Sequence, residues 1–174
     1  LLVLFQLESE SKKADEEIVD LRGIVMAVKK DCMAAKKPPK KFEVDFKDSG
    51  AILGDEVRVQ SIVTNIIENA LRYCDKDGEI SVIWFTDAAG GHLSIRDNGI
   101  GMEEKHLERI TERFYRIDKG RSRKLGGTGL GLAIVKYALQ AHEATLEIKS
   151  EVGVGSEFIC SFPIDRIHDE VINV

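Results

Sequence analysis

Four polar side chains are spaced so that they share one edge of a helix. At about 100° per residue, Asn65, Asn69, Arg72 and Tyr73 fall within one narrow arc. Amides are poor helix formers because their side chains compete for backbone hydrogen bonds. Two amides one turn apart therefore predict a polar site at the rim of a pocket, with a solvated helix edge as the alternative. The neighbouring arc is apolar and holds Val59, Ile62, Val63, Ile66 and Ala70.

A second polar feature is the segment DNGIGM at residues 97–102, which follows a predicted strand. The carboxylate of Asp97 can accept a hydrogen bond from an exocyclic amine. Gly99 and Gly101 would let a flat ligand approach the backbone closely. An ordinary Asp-Asn-Gly turn is the alternative, so this segment alone indicates little.

A third feature is the glycine-rich segment GGTGLGL at residues 126–132, which opens a predicted helix. Free N–H groups at a helix N-terminus, exposed by glycines, form an anion site suited to phosphates. No Gly-Lys-Ser/Thr follows, which excludes a Walker A loop. A basic loop precedes the segment where a dinucleotide-binding fingerprint would have a strand.

The elements that must position these segments predict an α+β domain. We expect a two-layer α/β sandwich, in which helices cover one face of a mixed, mostly antiparallel sheet. Residues 111–127 carry charge and glycine with little periodicity and predict a long functional loop. Helices are predicted at 18–33, 56–73, 103–110 and 128–140, with Asp55 as an N-cap. Strands are predicted at 42–46, 51–53, 80–84, 92–96, 145–149 and 157–162.

The composition is that of a globular domain with an acidic balance. The 174 residues are 43% hydrophobic and 32% charged, with a net charge of -5. Nucleic acid is not expected as a partner, because phosphate binding needs a basic face. No apolar run approaches the roughly 20 residues that span a bilayer, so we expect no direct membrane contact. The three cysteines are far apart and indicate free thiols in a reducing, cytoplasmic compartment.

In this order and at these spacings, the segments resemble the catalytic ATP-binding domain of bacterial sensor histidine kinases, within the gyrase–Hsp90–MutL ATPase superfamily. Residues 65–73 match the N box, DNGIGM the first glycine box, residues 113–116 the F box and GGTGLGL the second glycine box. The segment ERFYRIDKGRSRKLGGTGLGLAIVK is most similar to the corresponding sequence of kinases of the PhoR and WalK type. The resemblance implies a Bergerat-type ATP-binding fold with ATP and Mg²⁺ as cofactors.

The resemblance also implies roles for individual residues. Asn69 would be the metal ligand, which suits the oxygen preference of Mg²⁺, and Arg72 and Arg116 would contact phosphate as the catalytic residues. Asp97 would accept from the adenine amine, and Tyr73 would pack on the ring. The other nucleotide-binding positions that it implies are Asn65, Gly99, Gly101, Tyr115, Gly127, Thr128, Gly129, Leu130, Gly131 and Ser156. For Ser156, an ordinary strand-edge serine is an equal alternative.

No segment matches the phosphoacceptor motif of these kinases, and His142 is interpreted as structural. We therefore expect the acceptor histidine on a dimerisation domain of the same protein, upstream of this chain. The implied layout is the end of a dimerisation helix at 1–9, a linker at 10–17, the catalytic domain at 18–168 and a tail at 169–174. A response regulator would be an indirect partner, and the parent protein would be a homodimer in the cell membrane.

Two other classes of function compete with a kinase. An ATP hydrolase of the gyrase or Hsp90 kind carries a glutamate four residues before the metal-binding asparagine, where it activates water as a general base. This chain has Asn65 there, which cannot take a proton. Glu68 lies about 60° round the helix from position 65, so the sequence assigns it no such role. A degenerate module that only holds nucleotide is the third class, and the intact motifs argue against it.

Overall fold

A computed structural model of the chain describes residues 16–74, 77–117 and 127–168. The expectations for residues 1–15, for the tail at 169–174 and for most of the loop at 111–127 therefore lie outside the described residues. No helix among the residues described is long and apolar enough to cross a membrane. Cys32, Cys74 and Cys160 are free thiols, as predicted.

The domain is built on a five-stranded mixed sheet with a separate pair of strands. The strands are β1 (Glu17–Asp20), β2 (Lys41–Phe46), β3 (Ala51–Gly54), β4 (Glu79–Asp87), β5 (Gly90–Asp97), β6 (Thr145–Glu151) and β7 (Gly155–Pro163). The strand order of the sheet is β2-β4-β5-β7-β6, in which β2 pairs in parallel with β4 and every other pair is antiparallel. The separate antiparallel pair joins β1 to β3. The helices are α1 (Leu21–Met33), α2 (Glu56–Tyr73), α3 (Glu104–Leu107) and α4 (Gly131–Ala141).

The core lies between one face of this sheet and the helices. Alternate residues of β4, β5 and β7 point into it, with Trp84 and Phe158 fully buried. From the helical side, Ile62 and Ile66 of α2 are fully buried, and α2 packs along α4. Burying such side chains is worth about 1.5–3 kcal/mol each. The structure thus confirms the predicted α+β class with a mixed, mostly antiparallel sheet.

The predicted helix over 18–33 begins later than expected. Residues Glu17–Asp20 form β1, in which Val19 is buried and Ile18 is half exposed. The side chain of Asp20 accepts a 2.9 Å hydrogen bond from the Gly23 N–H, which caps the helix. The apolar spacing is helical only from Leu21 onward, so the prediction that the helix already includes Ile18 was wrong.

Two further helix predictions were too long. The predicted helix over 103–110 is only Glu104–Leu107, since the chain then turns and buries Ile110 in the core cluster. The predicted helix over 128–140 begins at Gly131. Gly129 has φ +73°, a left-handed conformation that cannot continue a right-handed helix.

Candidate functional site

A cavity of about 260 Å³ opens beside the C-terminal half of α2. Its walls come from α2, the end of β5 with the segment after it, residues 110–117, the glycine-rich segment with the start of α4, and Ser156 of β7. Most of the residues predicted from the sequence meet here. They are Asn65, Asn69, Arg72, Tyr73, Asp97, Gly101, Tyr115, Arg116, Gly127, Thr128, Gly129, Gly131 and Ser156.

Gly99 and Leu130 are the two predicted residues that do not line the cavity. Gly99 is buried against the backbone, where an added Cβ would lie 2.7 Å from the Tyr73 carbonyl oxygen. Leu130 sits just before α4, and its N–H donates to the Thr128 hydroxyl at 3.3 Å. Gly99 therefore allows close backbone packing beside the cavity, and its N–H donates to the Asp97 carboxylate.

Helix α2 carries the amides because its N-terminus and its apolar face are fixed. Asp55 caps it by accepting a 3.0 Å hydrogen bond from the Arg58 N–H, as the sequence predicted. One turn before Asn69, the Asn65 amide nitrogen donates to the Ser61 carbonyl oxygen at 2.8 Å. The Asn65 amide oxygen then faces α4, only 3.0 Å from where a Cβ on Gly131 would lie. A glycine there lets the two helices approach at the cavity.

At one end of the cavity lies the carboxylate of Asp97, whose residue is only 5% exposed. The Gly99 N–H donates to it at 2.8 Å, and the backbone N–H of Ser156 donates to it as well. Burial raises the pKa of Asp97 above its ordinary 3.8, and the two N–H donors oppose that shift. This end of the cavity therefore offers an acceptor oxygen in a site from which water is largely excluded.

At the other end, two guanidinium groups meet the glycine-rich segment. A Cβ on Gly127 would lie 3.4 Å from Nη1 of Arg72 and 3.5 Å from Nη2 of Arg116. The Arg116 Nη2 is buried and has no hydrogen-bond partner among the residues described. A buried donor without a partner is costly, so an anionic group is the ligand that would satisfy it.

The turn that carries Arg116 is tied to the glycine-rich segment. The Phe114 N–H donates to the Gly129 carbonyl oxygen at 2.8 Å, and Phe114 itself has φ +62°. A Cβ on Gly129 would lie 2.9 Å from Cα of Phe114, so this approach requires glycine. The next residue, Tyr115, is held by a 2.6 Å hydrogen bond between its hydroxyl and Nδ1 of His106. The guanidinium of Arg109 stacks over the Tyr115 ring at 4.3 Å.

Sequence reasoning missed several residues of the cavity. Glu68 lines it, although the helical-wheel argument had set this residue aside. Five apolar side chains also line the cavity. An apolar residue type by itself predicts burial in the core and does not identify a cavity wall. The five are Ile100, Met102, Ile110, Ile117 and Leu132.

The donor set does not form a metal cage by itself. The described residues contain no group of three or more His, Cys, Asp or Glu side chains that could hold a metal ion. Asn69 and Glu68 supply oxygens within the cavity. This arrangement fits Mg²⁺, which usually takes one or two protein oxygens and completes its shell with waters and substrate phosphates.

His142 lies at the far end of α4 from the cavity and is buried, as expected for a structural residue. Its Nδ1 is 2.7 Å from the Ala138 carbonyl oxygen, which can only accept, so Nδ1 carries the proton. Its Nε2 accepts from the Asp55 N–H at 3.0 Å. Burial lowers the pKa of His142 below 6.5, which keeps the ring neutral at neutral pH. The two hydrogen bonds of the ring join α4 to the start of α2.

Sequence comparison places residues 54–166 in a match to the family described as histidine kinase-, DNA gyrase B- and HSP90-like ATPase. The phosphate regulon sensor protein PhoR of Pseudomonas aeruginosa is 40% identical over 93% of this chain and 37% of its own length. The sensor-like histidine kinase SenX3 of Mycolicibacterium smegmatis is 34% identical over 94% of this chain and 43% of its own length. The chain thus spans less than half the length of these curated relatives.

Solved structures agree with the fold. Full-length ShkA, solved in complex with AMPPNP, has a TM-score of 0.79 and 25% identity, covering 98% of this chain and 35% of ShkA. A mycobacterial sensor histidine kinase, MprB, has a TM-score of 0.75 and 24% identity, covering 87% of this chain and 99% of the MprB chain. The second likeness bears on the fold alone.

Proposed function

Because the chain belongs to the histidine kinase-, DNA gyrase B- and HSP90-like ATPase family, we propose that it binds Mg-ATP and transfers the γ-phosphoryl group to a histidine. One observation carries the proposal: a single cavity has a buried acceptor, Asp97, at one end, and at the other end Arg116 Nη2, which has no hydrogen-bond partner within the part of the chain that the structure describes. A purine with an exocyclic amine and a polyphosphate are the two chemistries that these ends match.

Each end has a distinct part in the proposed reaction. Asp97 accepts from the adenine amine, while Tyr73 and the apolar side chains pack against the ring. Arg72 and Arg116 bind the phosphates, and Arg116 stabilises the charge on the γ-phosphoryl group at transfer. Phosphoryl transfer depends chiefly on positioning and electrostatic stabilisation, so these residues need no covalent chemistry of their own.

Asn69 is the proposed ligand for Mg²⁺, through its amide oxygen. When bound, the ion would neutralise charge on the phosphates. Asn69→Ala should abolish the stimulation of ATP affinity by Mg²⁺, whereas Gln60→Ala, on an exposed amide of the same helix outside the cavity lining, should retain it. Isothermal titration with ATP, with and without Mg²⁺, measures this difference.

The relatives are a phosphate regulon sensor protein and a sensor-like histidine kinase, and their similarity supports a place for this domain in a two-component sensor protein. We propose that the acceptor histidine lies on a dimerisation domain of the same protein, with a response regulator as the indirect partner. The whole protein would be a membrane-bound homodimer, with this domain in the cytoplasm. The catalytic domain would occupy residues 18–168 of the chain.

Incubation with γ-labelled ATP tests the proposal. The chain alone should bind ATP, hydrolyse it slowly and acquire no label, because water is its only abundant acceptor. Addition of the histidine-bearing dimerisation domain as a separate protein should give acid-labile label on that domain. Arg116→Ala should remove the transfer, whereas Arg96→Ala, on an exposed arginine outside the cavity lining, should retain it.

Brisk ATP turnover without the acceptor would favour the hydrolase alternative. In that case Glu68, the carboxylate that lines the cavity beside Asn69, would be the first candidate for the base. Glu68→Gln would then stop the turnover. Stable label on the chain itself would contradict both functions.

A further inference from the structure

A row of three polar side chains crosses the sheet at the buried end of the cavity. Asp97 of β5 pairs with Ser156 of β7, and Ser156 pairs with Ser150 of β6. Paired residues on neighbouring strands point to the same face of a sheet. Towards its other end that face carries buried apolar side chains such as Ile95 and Phe158, so the polar row interrupts an otherwise apolar surface.

Ser150 is the member of this row that does not line the cavity, yet its hydroxyl makes the most contacts. The Met102 N–H donates to the Ser150 Oγ at 2.8 Å. The same hydroxyl donates to the Gly155 carbonyl oxygen at 3.1 Å, and its Oγ lies 2.8 Å from the Ser156 Oγ. Ser150 therefore joins the segment after Asp97, through Met102, to the strand that carries Ser156.

The hydrogens in this network can be assigned from the chemistry of a hydroxyl, which has one hydrogen and two lone pairs. The Met102 N–H occupies one lone pair of Ser150. The Gly155 carbonyl oxygen can only accept, so the single hydrogen of Ser150 is donated there, and the second lone pair of Ser150 accepts the hydrogen of the Ser156 hydroxyl. Because its hydrogen is held by Ser150, the Ser156 hydroxyl presents an acceptor lone pair to the cavity beside the acceptor oxygen of the Asp97 carboxylate.

This pair of groups matches adenine and opposes guanine. Adenine has an amine at position 6, whose two hydrogens can be donated to two acceptors, whereas guanine has a carbonyl oxygen there, which two acceptors repel. We propose that Ser150 is a positioning residue for the nucleotide base: its hydroxyl fixes Met102 and Ser156 so that Asp97 and Ser156 together face the adenine edge. The inference rests on the proposed nucleotide-binding function and adds a specificity residue from outside the cavity.

The backbone around Ser150 shows how little room this arrangement leaves. A Cβ on Gly101 would lie 1.9 Å from the Glu151 carbonyl oxygen, and a Cβ on Gly155 would lie 2.0 Å from the Asp97 carbonyl oxygen. The β6–β7 hairpin is therefore pressed against the segment after Asp97 on both sides of Ser150. Because the backbone is packed so closely here, the Ser150 hydroxyl can fix the positions of the groups that contact the base without contacting the base itself.

The test compares ATP and GTP affinity by calorimetry for the wild-type chain, Ser150→Ala and Ser150→Thr. Loss of one buried hydrogen-bond partner should weaken ATP binding by about five- to tenfold. GTP affinity should change by less than about twofold, because guanine makes no good contact with this edge. Ser150→Thr keeps the hydroxyl and should restore ATP affinity. Ser161→Ala is the matched control, since it removes a hydroxyl that contacts His92 on the opposite face of β7.

A merely structural role for Ser150 would weaken ATP and GTP equally, and that result would overturn the proposal. Unchanged ATP affinity in Ser150→Ala would overturn it too. If Ser150→Ala does not fold, Ser150→Cys replaces it, because a thiol of similar size is a poor hydrogen-bond acceptor and the same base-dependent loss is expected. A wild-type chain that binds ATP and GTP equally would instead contradict the proposed function at its base end.

Discussion

The substitution Asp97→Asn tests the base end of the cavity most directly. Asparagine has the size of aspartate but replaces one acceptor oxygen by an NH₂ donor. The carboxylate already accepts the Gly99 N–H at 2.8 Å and the Ser156 N–H. An asparagine oxygen turned towards these two donors leaves its NH₂ group facing the adenine amine, donor against donor.

The expected loss of ATP affinity follows from that mismatch. A buried polar group without a partner costs about 1–3 kcal/mol, which corresponds to a roughly 5- to 150-fold weaker Kd. GTP should behave in the opposite way, because its carbonyl oxygen can accept from the new NH₂ group. Titration calorimetry of both nucleotides against both proteins gives the ratio of affinities, and we expect that ratio to fall or invert.

The ionisation of Asp97 provides an independent check on the same contact. Burial raises the pKa of this carboxyl, and the proton competes with the adenine amine for its oxygen. ATP affinity should therefore decline as pH falls through the raised pKa, at a higher pH than for an ordinary aspartate, and Asp97→Asn should remove this decline. Equal losses for ATP and GTP in Asp97→Asn, with the pH dependence intact, would refute this assignment.

Two further predictions concern stability. The folded pKa of His142 lies below its unfolded value near 6.5, so the unfolded chain binds more protons below that pH. The unfolding free energy should therefore be highest above about pH 6.5 and should fall as the pH drops towards the folded pKa. Urea unfolding from pH 8 to pH 5 should show this loss, and His142→Gln should reduce it; an unchanged pH profile in that variant would contradict the role. Gly101→Ala should lower the unfolding free energy by more than the roughly 1–2 kcal/mol of a left-handed residue, since its Cβ would also meet the Glu151 oxygen at 1.9 Å. Gly153→Ala is the control, because Gly153 has φ +81° and an added Cβ there would have nothing within 4 Å. If urea unfolding shows the same loss of unfolding free energy for both variants, the contact between position 101 and Glu151 is not tight.

The sequence predicted the parts of the fold and site that depend on local pattern. The N-cap at Asp55 follows from a residue type immediately before a periodic stretch, and the structure confirms it. The arc of Asn65, Asn69, Arg72 and Tyr73 follows from helical geometry, and all four side chains line the cavity. The segment around Asp97 indicates little by itself, because Asp-Asn-Gly turns are common, and Asp97 could be singled out only from the order and spacing of the three segments together.

Features that depend on contacts distant in sequence could not be predicted in the same way. The left-handed conformation of Gly129 depends on the approach of Phe114, so a glycine-rich helix start gave no sign that α4 begins only at Gly131. The part played by Ser150 depends on the pairing of β6 with β7 and of β7 with β5. Strand pairing of this kind is not encoded in the spacing of any single motif.

The two ends of the cavity are built by different means, and this bears on what each can control. The base end rests on strand pairing, with the Asp97–Ser156–Ser150 row fixed by three adjacent strands. In the described residues, the turn that carries Arg116 is held to the glycine-rich segment through the hydrogen bond from Phe114 to Gly129. Changes in the row should therefore alter which nucleotide binds, while changes at Phe114, Gly129 or Arg116 should alter how well its phosphates are placed for transfer. A rigid base end is what allows a purine ring to be selected by two or three hydrogen bonds, because selection is lost once those groups can move to suit another base.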